Sequence, residues 1–84
     1  MKTEVAWETI EPEAIRHLQN LIRIDTTNPP GNEIEAVRYL ASVLEAEGLR
    51  PRVLESAPGR GSVVLRLPGR DDAEPLMLLS HLDV

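Results

Sequence analysis

The segment "LMLLSHLDV", residues 76 to 84, carries an apolar run into a histidine and an aspartate two positions apart. In an extended chain such residues project to the same side. A neutral imidazole is a common metal ligand, and a carboxylate beside it orients the ring and raises its basicity. Ligand sites in α/β sheets gather beyond the carboxyl ends of strands. His81 and Asp83 therefore read as half of a metal site, with His81 as the ligand and Asp83 as the residue that holds it. On its own a His-x-Asp tripeptide is weak, and its commoner meaning is a surface histidine near an aspartate. A zinc site takes about three or four protein ligands, and His81 is the only histidine in its region. The other histidine, His17, falls on the polar flank of a helix and reads as part of a solvated face.

The elements that must position this pair follow from periodicity. Ala14, Ile15, Leu18, Leu21 and Ile22 recur every three or four residues and predict a helix over 11–23, with Pro12 in its first turn. "DTTNPPG", residues 25 to 31, is a loop, and its portion 26–31 reads as a rigid connector. Asn32 and Glu35 form a capping arrangement for a second helix over 33–47, whose stripe is Ile34, Val37, Leu40, Ala41 and Leu44. Gly48 followed by Leu49 is a left-handed cap closed by an apolar residue. Strands are expected over 51–56 and 62–67, joined as a hairpin by a loop of about five residues, "APGRG". A third strand is expected over 75–80, apolar enough to be covered on both faces and parallel to the first. Both helical stripes should pack on this sheet.

Composition bounds the function. The 84 residues amount to no more than one small domain, and their formal net charge of −5 argues against a nucleic-acid partner. Absence of cysteine removes disulfides, thiolate catalysis and Cys-based zinc sites. With only Trp7 and Tyr39 as aromatics, the core must be aliphatic. The first residues lack the apolar stretch of a secretory signal, and no run approaches the roughly 20 apolar residues that span a bilayer. The expectation is a cytoplasmic protein with no membrane partner.

The succession of an amphipathic helix into "LIRIDTTNPPGNE", a second helix ending in "LEAEGL", a strand pair and then "SHLDV" resembles the amino-terminal part of the M20 family of metallopeptidases. That family includes acetylornithine deacetylase, succinyl-diaminopimelate desuccinylase, aminoacylases and glutamate carboxypeptidases. The resemblance runs through the chain from about Ile10. It implies an α/β fold: two helices on a partial mixed sheet, forming the amino-terminal part of a three-layer α/β/α catalytic domain of the zinc-exopeptidase kind. It implies that His81 binds one of two zinc ions and that Asp83 is the catalytic-site carboxylate holding its imidazole. The expected chemistry is metal-assisted hydrolysis of an amide bond in a peptide or N-acyl amino acid. Family members are much longer, and their bridging aspartate, general-base glutamate and remaining ligands lie beyond the motif. Residues 1–84 are thus expected to be a partial catalytic domain, a fragment that does not retain zinc and is inactive alone. A strand from the absent region would lie between the second and third strands.

Two other readings stand beside this one. One is a small non-catalytic α/β binding or assembly module whose exposed strand edges pair with another chain; self-association through those edges is a further expectation. The other is a mononuclear metal protein that joins His81 to ligands from a partner chain.

Overall fold

The computed structural model describes residues 4–84. It contains two helices and a two-stranded antiparallel sheet, a small α/β fold. Helix α1 spans Trp7–Ile22 and helix α2 spans Ile34–Ala46; strand β1 spans Arg52–Ala57 and strand β2 spans Arg60–Val64.

The core lies along one face of α2. Ile34, Ala36, Val37 and Ala41 are buried, with Val37 fully so. This is the face the apolar stripe predicts, and α2 packs through it on both strands. The carboxyl end of α2 closes as expected. Gly48 adopts φ 81°, its N–H donates to the Glu45 carbonyl at 2.9 Å, and Leu49 N–H donates to the Leu44 carbonyl at 3.1 Å.

The amino end of α2 departs from the capping arrangement expected of Asn32 and Glu35. Glu33 occupies the cap position and makes no side-chain bond to its own helix. Instead the hairpin supplies an acceptor: Ile34 N–H donates to the Gly59 carbonyl at 3.2 Å. An orphan amide of the first turn is thereby satisfied from a distant turn, which frees the Glu33 carboxylate for other partners.

The hairpin is tighter than its sequence suggests. Ala57 pairs with Arg60, so only Pro58 and Gly59 lie between the strands, and a register shift between Glu55 and Ala57 accommodates the closure. Gly59 has φ 79°. That value, after a proline whose ring fixes φ, fits a type II turn. Arg60 and Gly61, expected in the loop, are thus the first residues of β2, which ends at Val64 instead of residue 67.

Helix α1 begins at Trp7, earlier than the expected residue 11, and Pro12 lies inside it, past the first turn. Pro12 has no N–H to give the Glu8 carbonyl, and the residues around both are exposed, where a missing helical bond costs less. The α1 stripe does not pack on the sheet: none of its residues is buried, and Leu18 is 58% exposed. The helix meets α2 instead. Tyr39 hydroxyl lies 2.6 Å from His17 Nδ1 and accepts from Asn20 Nδ2 at 3.0 Å. His17 is therefore part of a contact between helices, not simply a solvated residue.

The expected third strand over 75–80 does not form, so the sheet is antiparallel and not mixed. Residues 65–84 contain no regular element, and Leu78 and Leu79 are each 89% exposed. A strand exists only by pairing, and among the described residues only β1 and β2 pair.

Because α2 carries the core, Val37→Ala should lower stability by about 2 kcal/mol through lost burial and a residual cavity, whereas Leu18→Ala should change it by less than about 0.5 kcal/mol. Urea unfolding of the two variants checks this contrast; equal losses would contradict it.

Candidate functional site

The chain brings His81 and Asp83 together as their spacing predicts. His81 Nδ1 lies 3.0 Å from the Asp83 carbonyl oxygen and 3.2 Å from Asp83 Oδ1. Both partners are acceptors, so Nδ1 carries the proton and donates to them. In the neutral ring the lone pair then sits on Nε2, on a side chain that is 85% exposed. This is the form of imidazole that binds a metal through Nε2, with a carboxylate behind it.

What holds the Asp83 side chain comes from two distant parts of the chain. Asn28 Nδ2 donates to Asp83 Oδ2 at 2.9 Å, and Arg60 Nη2 lies 3.7 Å from the same oxygen. The Asn28 bond is the chief influence holding the Asp83 carboxyl below the usual carboxylate range; partial burial opposes it, and His81 adds to it.

The loop over residues 25–31 is the docking platform for this tail. Thr26 Oγ1 donates to the Leu82 carbonyl at 2.9 Å, Val84 N–H donates to the Thr26 carbonyl at 3.1 Å, and Asn28 N–H donates to the Val84 carbonyl at 2.7 Å. Val84 thus uses both backbone groups on residues flanking Thr27, as in parallel pairing. Asp25 shapes the loop's entry by accepting from Thr27 N–H at 3.0 Å, and its bonds to Thr27 hold its carboxyl below the usual range against mild desolvation. The loop is more than the connector its composition suggests.

Beneath the tail a buried carboxylate pairs with a half-exposed guanidinium. Glu33 is only 6% exposed. Its Oε2 accepts from Arg60 Nε at 2.8 Å and from Gly61 N–H at 2.9 Å. Burial is the largest single influence on Glu33 and pushes its carboxyl up, but the Arg60 and Gly61 bonds, the residue's own backbone amide and the Arg60 charge together outweigh it and leave the group below its ordinary value. Its other oxygen, Oε1, is buried without a protein partner. Gly31 makes this packing possible: a Cβ there would sit 3.0 Å from both Arg60 Cζ and Glu33 Oε1, and its φ of 76° disfavours any other residue.

Asn28, Glu33 and Arg60 are the residues sequence reasoning missed. A Glu and an Arg 27 positions apart give no local signal of pairing. Asn28 ahead of two prolines reads as turn chemistry. Residues His81 and Asp83 fit one ligand position of a zinc ion and its orienting carboxylate. Among the described residues no three His, Asp or Glu side chains come together to complete such a site. No described helix is long and apolar enough to cross a membrane.

No family model, curated protein or solved structure matches the chain.

Glu33 has a lower proton affinity folded than unfolded, so the folded state binds fewer protons. Its stabilising effect is present above about 4.5, the ordinary glutamate value, and is lost as pH falls through the lower folded value. Urea midpoints should therefore drop between neutral pH and about pH 3, and Glu33→Gln should flatten that dependence. An equally steep drop in Glu33→Gln would contradict the assignment.

Proposed function

We propose that this chain is the amino-terminal part of a di-zinc hydrolase of the M20 metallopeptidase kind, acting on the amide bonds of peptides or N-acyl amino acids. The observation that carries the reading is the state of His81. Its Nδ1 proton is held by Asp83, and its Nε2 lone pair is directed away from that contact. Zinc, when bound, would polarise a carbonyl and acidify a water. His81 offers one ligand, Asp83 orients it, and Asn28 and Arg60 hold Asp83. The other ligands and the general base belong to residues outside this sequence. In this reading the two helices and the hairpin form part of a three-layer α/β/α domain. The exposed run Leu76–Leu79, apolar at every position, supports a larger sheet.

The same run favours a second reading, a non-catalytic module whose unpaired segment joins another copy of the chain. Light scattering separates the two: a monomer at micromolar concentration contradicts the module.

Zinc titration followed by imidazole NMR tests the primary reading. The His81 Nε2 resonance should shift or broaden at zinc levels well above micromolar, and His81→Ala should abolish this. N-acetyl amino acids should not be hydrolysed, and chelators should leave the urea midpoint unchanged. An unperturbed His81 in excess zinc would contradict the ligand assignment. Submicromolar affinity together with turnover would contradict the incomplete site.

A further inference from the structure

We infer that Asn28 and Arg60 are positioning residues that fix the tautomer of His81 through Asp83, an inference that rests on the ligand reading of His81. The last torsion of an aspartate side chain is broad, so a free carboxylate swings through a wide range of orientations. Here the oxygens have separate duties. Asn28 Nδ2 and Arg60 Nη2 both address Oδ2, at 2.9 and 3.7 Å, and leave Oδ1 to His81 at 3.2 Å. Rotation of the carboxylate breaks the Asn28 bond and disturbs the Arg60 contact, so the acceptor facing Nδ1 is held in place.

The two anchors are themselves fixed. Asn28 belongs to a backbone segment bonded to Val84, and it precedes two prolines. Arg60 is clamped by its Nε–H on the buried Glu33 carboxylate. One guanidinium therefore touches two carboxylates, Glu33 through Nε and Asp83 through Nη2, which its planar fork permits and a lysine ammonium does not reproduce. The buried foot of α2, the hairpin and the 26–28 loop converge on one carboxylate oxygen. Their combined effect is to add a fixed carboxylate acceptor to the Asp83 carbonyl that already lies 3.0 Å from Nδ1, and so to favour the proton on Nδ1 and the lone pair on Nε2.

The test reads the tautomer directly, by two-bond proton–nitrogen NMR of His81 at about pH 8.5, where an ordinary imidazole is neutral. The unaltered chain should show the Nδ1–H form in excess. Asn28→Ala and Arg60→Ala should each lower the ratio of Nδ1–H to Nε2–H about fivefold, the effect of one net hydrogen bond. Arg38→Ala, which removes an exposed pair with Glu35, should leave it unchanged. Backbone amide shifts of Val37 and Val63 report folding in each variant. Asn28→Ala leaves the Glu33–Arg60 pair intact, so it reports even where Arg60→Ala loosens the hairpin. An unchanged ratio in folded Asn28→Ala, or an excess of Nε2–H in the unaltered chain, would overturn the inference. If zinc still perturbs His81 in that case, the positioning role alone fails; if zinc leaves His81 unperturbed, the ligand reading fails with it.

Discussion

The buried carboxylate of Glu33 is the constraint on which the rest of the site depends. A carboxylate removed from water is costly unless it is paired and hydrogen-bonded. Glu33 meets that demand with Arg60 Nε and Gly61 N–H, both from the start of β2. The hairpin must therefore sit against the first turn of α2, and its turn carbonyl at Gly59 takes the Ile34 amide as part of the same contact. Arg60, anchored in this way, has its remaining edge directed at Asp83. A pairing that solves a burial problem thus also determines where the second carboxylate rests.

The opposite side of Asp83 is fixed by backbone. Thr26, Asn28, Leu82 and Val84 exchange bonds that seat the tail on the loop between the helices. Backbone bonds of this kind set position, while the Asn28 side chain adds direction. His81 then follows from Asp83, since Nδ1–H has two acceptors on that one residue. The site is a relay of fixed parts that ends in an exposed nitrogen.

What the sequence made legible was local. The α2 stripe, the glycine cap at Gly48 and the facing of His81 and Asp83 all follow from spacing within a few residues. The misses share a different cause. The capping arrangement at Asn32 fails because the hairpin, more than 20 residues later, supplies the acceptor. The turn is shorter than its composition suggests because Arg60 and Gly61 are drawn into β2, where both bond Glu33. The α1 stripe and the segment 75–80 carry the patterns of packed elements, yet most of their apolar residues stay exposed. Periodicity states what a segment can bury; whether a partner is present is a property of the whole assembly.

Amide hydrogen exchange at Asn28 and Val84 tests the central claim most directly. These two N–H groups lie outside every helix and strand, and they are bonded only in the contact between the 26–28 loop and the tail. If that contact holds Asp83 and His81 in place, both amides exchange much more slowly than those of a free peptide, and to a similar degree, since one opening event exposes both. Exchange of both at free-peptide rates, while the Val37 amide stays protected, would show a folded hairpin and α2 with an undocked tail and would contradict the account.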